Sequence, residues 1–178
     1  MKGLVHIYCG DGKGKTTTAI GSAVRAAGRG MRVLIARFLK TDDSGEVLAL
    51  AHVPGITLLP CDQNFGFSWE MTPAQKQAAS IYYRDNFYKA WEMAVGQDGE
   101  GGFDMLVLDE IIGACNLGFV DEDLVLNSIR HRPEHMEVIL TGRGPSEHME
   151  KCSDYITEMV MRRHPFEQGI GAREGIEY

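Results

Sequence analysis

The eight residues Gly10-Asp11-Gly12-Lys13-Gly14-Lys15-Thr16-Thr17 constrain this chain most, because of what stands on either side of them. Before them, Leu4-Val5-His6-Ile7-Tyr8-Cys9 has the β-branched and aromatic character of a buried strand. After them, small and apolar residues recur at helical spacing from Lys15 to about Ala27, with Gly28 and Gly30 as stop signals. A strand that turns through glycines into a helix aims successive backbone N–H groups, and the positive end of the helix dipole, at one point. That point suits several negative charges at once. Lys15 can neutralise phosphate oxygens from within such a nest, and the Thr16 hydroxyl is placed to coordinate the magnesium that accompanies a nucleotide. Gly10, Asp11, Gly12, Lys13, Gly14, Lys15, Thr16 and Thr17 are the candidate phosphate-binding residues; Thr17 also belongs to the helix. The spacing is irregular. Counted from Gly10 the loop is one residue shorter than Gly-x4-Gly-Lys-Thr, and counted from Cys9 its first glycine is missing.

A second element supports the first. Met105-Leu106-Val107-Leu108 is an uninterrupted apolar run, as in strands covered on both faces, and it ends in Asp109-Glu110. Such a strand delivers carboxylates to the carboxyl edge of a sheet, where ligands of α/β folds bind. Adjacent side chains on a strand point opposite ways, so only one of Asp109 and Glu110 is expected to face a metal. The plainer alternative is that both acids cap the next turn.

The remaining chain alternates strand and helix patterns. Met31 to Phe38, Gly55 to Leu59, Met136 to Leu140 and Tyr155 to Met161 read as further strands. Thr41-Asp42-Asp43-Ser44-Gly45 is a polar loop capping a short helix, and Thr72 with Pro73 opens a helix that runs to about Val95. Gly96 to Gly102 is a Gly/acid loop, Asp121 caps a helix ending near Arg130, and Pro145 to Lys151 forms a short helix. Strands alternating with helices mean a parallel sheet with helices on both faces. At 178 residues, 44% of them hydrophobic, one domain spanning 1–178 is expected.

Charge narrows the ligand class. Residues 1–40 hold eight Lys/Arg against Asp11 alone, and residues 41–178 hold ten against twenty-four acids. That asymmetry argues for a small polyanion and against nucleic acid. No run approaches the ~20 apolar residues of a membrane span, and the first residues lack a signal peptide's pattern, so the protein is expected to be cytoplasmic and unattached to membranes. The cysteines (Cys9, Cys61, Cys115, Cys152) are far apart and are expected to be reduced and mostly buried. His131 and His135 bracket Pro133, which disrupts the helix a zinc pair would need.

Three features stay open on the residues alone. Phe65-Gly66-Phe67-Ser68-Trp69 places Phe67 and Trp69 on one side if extended, either as core packing or as a wall for a large flat ligand. Arg143, after the fifth strand, is either a phosphate ligand or a solvated loop arginine. The segment from His164 to Tyr178 is too apolar for a typical disordered tail and is expected to fold back onto the domain, over the site.

Taken together, the Gly10–Thr17 loop, Val107-Leu108-Asp109-Glu110, Phe67-Ser68-Trp69, Leu140-Thr141-Gly142-Arg143 and the ending His164-Pro165-Phe166 … Gly175-Ile176-Glu177-Tyr178 resemble the ATP:cob(I)alamin (corrinoid) adenosyltransferases of the bacterial P-loop type. The resemblance covers nearly the whole chain. It implies a P-loop NTPase-like three-layer fold with a mainly parallel six-stranded sheet, and a homodimer. It implies ATP held in reversed sense relative to ordinary P-loop enzymes, magnesium or manganese, and a corrinoid as second substrate. By the same match, Lys15 and the loop amides hold the triphosphate, Thr16 and Glu110 approach the metal, and Phe67 and Trp69 border the corrinoid. That aromatic pair is then expected to displace the lower axial ligand, easing reduction of cob(II) to cob(I) by a reductase such as a flavoprotein. Two departures stand out: Asp11 occupies a position where asparagine is common, and the first strand starts about three residues into the chain, without the arm that covers the nucleotide in some members. The expected reaction is attack of cob(I) on the ribose 5′ carbon with triphosphate leaving. A small-molecule kinase or ATPase needs the same loop and acids, and a non-catalytic nucleotide- or corrinoid-binding module is the third reading.

Overall fold

Short apolar runs separated by amphipathic segments have one economical solution, a sheet whose strands run the same way and whose crossovers cover both faces. The structure, a computed structural model, describes residues 2–96 and 101–177. Residues 97–100 of the expected Gly96–Gly102 loop lie outside the described residues, as do Met1 and Tyr178. The strands are β1 (Val5–Cys9), β2 (Val33–Arg37), β3 (Ile56–Leu58), β4 (Met105–Asp109), β5 (Glu137–Thr141) and β6 (Tyr155–Glu158). They form one sheet in the order β3-β2-β4-β5-β1-β6, and every pairing is parallel. Several strands are a residue or more shorter than their apolar patterns; the last stops at Glu158 rather than Met161.

The helices are α1 (Lys15–Ala27), α2 (Gly45–Leu50), α3 (Pro73–Val95), α4 (Ile111–Asn116), α5 (Glu122–Arg130) and α6 (Glu147–Lys151). Thr72 and Gln75 close a reciprocal capping box on α3, with Pro73 behind the cap, so the longest helix begins where its sequence requires. Ser44 heads α2 without a side-chain cap bond, contrary to the capping expected of that loop. Helix α4 is too short to carry a legible period and was not expected.

Strand pleating sorts the core into two layers. Leu106 and Leu108 of β4 pack with Ala79, Tyr83 and Phe87 of α3 on one face, whereas Met105 and Val107 pack with Ala19 and Ala23 of α1 on the other. Asp109 continues the second series and points toward the start of α1. Strands β2 and β4 are wholly buried, and the edge strand β6 is exposed along its length. Among the described residues no helix is long and apolar enough to cross a membrane.

Candidate active site

The loop after β1 is held open by close packing beneath it. A Cβ on Gly10 would lie 2.4 Å from the Met159 carbonyl oxygen, and Gly12 donates its N–H to that same oxygen at 2.7 Å. Gly14 is in the left-handed region (φ 117) and stands as the N-cap of α1 with no side-chain acceptor. The first N–H groups of α1 therefore face the cleft uncapped, available to an anion.

Lys15 is 8% exposed and folds back into the loop, donating to the Gly10 and Gly12 carbonyls at 2.8 and 2.9 Å. Burial lowers its pKa, and the nearby Glu110 carboxylate opposes that fall. Thr16 donates to Asp109 Oδ1 at 3.0 Å, and Asp109, fully buried, accepts a further bond from the Thr141 hydroxyl at 2.7 Å. Thr17 borders the cleft from the next position of the helix.

The acidic pair departs from simple strand alternation. Glu110 has left the strand in a left-handed conformation (φ 62): Asp109 accepts from Thr16, while Glu110 borders the same cleft as Lys15 and Thr16. Burial pushes the Glu110 carboxyl above its ordinary value; Lys40 pulls it back and Asp109 adds to the rise.

Lys40 is the site residue that the sequence did not suggest. Its ammonium donates to Thr16 Oγ1 and to Asp109 Oδ2, both at 2.6 Å. The missed signal was positional: β2 ends on the same sheet edge as β1 and β4, so a polar side chain just beyond it belongs among the candidates.

Two clefts meet here. One, about 430 Å³, is bordered by Lys13 to Thr17, Lys40, Glu110 and the tail residues Gly175 to Glu177. The other, about 360 Å³, is bordered by Phe67, Trp69, Arg143, Lys15 and Glu110. Lys15 and Glu110 belong to both. Phe67 and Trp69 are 61% and 75% exposed and stack at 4.6 Å with an angle of 11° between rings, so core packing does not describe them. Arg143 is exposed and borders this second cleft together with Lys15, near enough for its charge to act on the lysine.

Asp11 and Lys13 are engaged in scaffolding. The Asp11 carboxylate accepts from the Met161 N–H at 3.1 Å, the main cause of its lowered pKa. Lys13 donates to the Ile176 carbonyl at 2.8 Å and pairs with Glu177 at 3.1 Å, bringing the tail across the loop as its composition suggested. Tail residues Phe166, Ile170 and Ile176 nevertheless remain exposed.

The fold and the loop define a P-loop NTPase-like α/β protein with two adjoining clefts on one sheet edge. The model of the family described as ATP:corrinoid adenosyltransferase BtuR/CobO/CobP matches residues 1–178, and the chain belongs to that family. The corrinoid adenosyltransferase of Pseudomonas aeruginosa is 32% identical over 178 residues, covering 99% of this chain and 84% of that protein. That of Escherichia coli K12 is 29% identical, with 99% of this chain and 86% of the other covered. The Salmonella typhimurium corrinoid adenosyltransferase CobA is 30% identical over the same shares, 99% and 86%. The chain is an enzyme of this kind, transferring the adenosyl group of ATP to a corrinoid, and the kinase or ATPase reading is not favoured.

Proposed function

We propose that the enzyme, acting as a single domain over residues 1–178, holds the triphosphate of ATP in the loop cleft and the corrinoid against Phe67 and Trp69, so that cobalt and the ribose 5′ carbon meet above Lys15. The observation that carries this reading is the junction of the two clefts at Lys15 and Glu110. The electron pair on cob(I) forms the cobalt–carbon bond, and the C5′–O bond breaks with its pair going to the departing triphosphate. No general base is required, because cob(I) attacks carbon without losing a proton.

The leaving group gathers charge, so preorganised donors are the main lever. Lys15, now bonded to the Gly10 and Gly12 carbonyls, exchanges those acceptors for phosphate oxygens when ATP binds. The uncapped amides of Lys15, Thr16 and Thr17 add to it, and Arg143 stands over the neighbouring cleft as a further cation. Lys13, tied to Ile176 and Glu177, links the loop to a tail that borders the nucleotide cleft.

Thr16, Asp109 and Glu110 form a set of hard oxygen donors suited to Mg2+ or Mn2+, ions that keep several waters and phosphate oxygens in their shell. No group of three or more His, Cys, Asp or Glu side chains fit to hold a metal occurs among the described residues. When bound there, the ion supplies charge neutralisation to the triphosphate.

The flat, exposed Phe67–Trp69 pair supports displacement of the lower axial ligand of cob(II), a step served by a flavoprotein-type reductase. The uncovered apolar residues Tyr155 and Ile156 on the edge strand support a homodimer, and the reaction belongs in the cytoplasm. The test is incubation with ATP, Mg2+ and chemically reduced cobalamin. A light-sensitive spectrum of a cobalt–carbon bond is expected; unchanged corrinoid with ADP accumulating would contradict the assignment.

A further inference from the structure

Lys40 occupies the place that the oxygen donors reserve for a cation. Its ammonium lies 2.6 Å from Thr16 Oγ1 and 2.6 Å from Asp109 Oδ2. Thr16 in turn donates to the other Asp109 oxygen at 3.0 Å, so hydroxyl, carboxylate and ammonium close a triangle. Asp109 is fully buried, and a buried carboxylate without a cationic partner is strongly disfavoured.

The backbone aims Lys40 there deliberately. Leu39 is in the left-handed region (φ 55), the only non-glycine residue besides Glu110 to be so among the described residues. On either side the chain is pinned. The Lys40 carbonyl accepts from the Cys61 thiol at 2.9 Å, and the buried Arg37 guanidinium donates to the Thr41 carbonyl at 2.9 Å and pairs with Asp42. Asp42 also accepts from the Cys61 N–H at 3.1 Å. The side chain itself is 26% exposed and borders the nucleotide cleft, so the ammonium has somewhere to go.

An ammonium at 2.6 Å and a divalent ion compete for those oxygens, because two cations so close repel one another. Free metal must therefore displace Lys40 from the buried Asp109 carboxylate into the open cleft without bringing it a new anion. A triphosphate changes the balance, because its oxygens offer the ammonium a new anionic partner as the metal takes Thr16 and Asp109. We propose that Lys40 is a positioning residue that holds the cation place in the nucleotide-free enzyme, so that the site accepts metal with a triphosphate and discriminates against free metal. This rests on the reading that Thr16 and the acidic pair receive the metal.

Binding of Mn2+ to the purified protein, read from the loss of the free-ion electron paramagnetic resonance signal, tests it with and without ATP. Lys40→Met is expected to bind nucleotide-free Mn2+ at least tenfold more tightly than the wild type, with the gap closing or reversing when ATP is present. Lys40→Gln, which keeps a hydrogen-bond donor beside Asp109 and removes the charge, guards against misfolding of the first variant. It is expected to gain melting temperature from Mn2+ alone, where the wild type gains none. Equal free-Mn2+ affinity in wild type and both Lys40 variants, with Thr16→Val still weakening Mn2+ uptake in the presence of ATP, overturns the role of Lys40 alone. Mn2+–ATP binding that is indifferent to both Thr16→Val and Asp109→Asn overturns the metal reading and the Lys40 role with it.

Discussion

The Thr141 hydroxyl serves both members of the acidic pair, donating to Asp109 Oδ1 at 2.7 Å while accepting from the Glu110 N–H at 2.8 Å. One side chain on β5 thereby fixes the direction of the buried carboxylate and the left-handed turn that follows it. Thr141→Val keeps the shape and removes both bonds. A stability loss of about 1–3 kcal/mol is expected in chemical denaturation, because a buried acceptor and a backbone donor lose a partner. Adenosylation should fall as well, since Asp109 is then free to leave Thr16.

Lys15→Ala should leave the melting temperature close to that of the wild type, because the loop geometry rests on the packing of Gly10 and Gly12 against Met159 rather than on the lysine. Turnover should drop roughly a hundredfold or more, the effect typical of losing one strong donor to a developing anion. Steady-state adenosylation from chemically supplied cob(I) reads this directly, and near-normal rates would remove Lys15 from the mechanism.

Trp69→Ala separates ligand displacement from chemistry. With one ring of the stacked pair gone, adenosylation starting from cob(II) and a reductase should suffer more than adenosylation starting from cob(I). Equal losses in the two assays would confine Trp69 to holding the corrinoid.

How much of this was legible beforehand depended on where the backbone stayed regular. The loop and α1 could be read because glycine spacing, strand composition and helical period agree around Lys15. The start of α3 could be read from Thr72, Pro73 and Gln75, whose cap is local. Phe67 and Trp69 do share one side, but through a turn closed by the Glu70 N–H on the Phe67 carbonyl rather than through the extended alternation expected, and alternation alone did not say which of Asp109 and Glu110 points toward α1. It gave no hint of Lys40 and does not reach Glu110, and the cause is common to both: Glu110 and Leu39 adopt positive φ without being glycine, so the pleat has ended before these side chains are placed. Whether Phe67 and Trp69 were core or ligand wall could not be read, because it depends on what packs against them from distant segments.

The acidic pair also predicts a pH effect. Burial, reinforced by Asp109 and opposed by Lys40, Lys15 and Arg143, holds the Glu110 carboxyl above its ordinary 4.5. The folded state then keeps this proton more tightly than the unfolded chain. The associated stability is fully present below pH 4.5 and is lost as pH rises through the raised value. Glu110→Gln, which cannot ionise, escapes that loss. In buffer free of metal and nucleotide its melting temperature should exceed the wild type's near neutral pH, with the difference shrinking as the solution is acidified. A difference that stays constant across this range would show that the Glu110 carboxyl is not raised.

The central claim is that the loop around Lys15 grips a departing triphosphate, so that substitution takes place at carbon rather than phosphorus. ATP carrying oxygen-18 in the bridge between the ribose 5′ carbon and the α-phosphate reports this in one turnover. The expected result is intact triphosphate bearing the label and an unlabelled adenosyl group on cobalt. Label retained on an adenosine nucleotide, with a single phosphate transferred, would contradict the account.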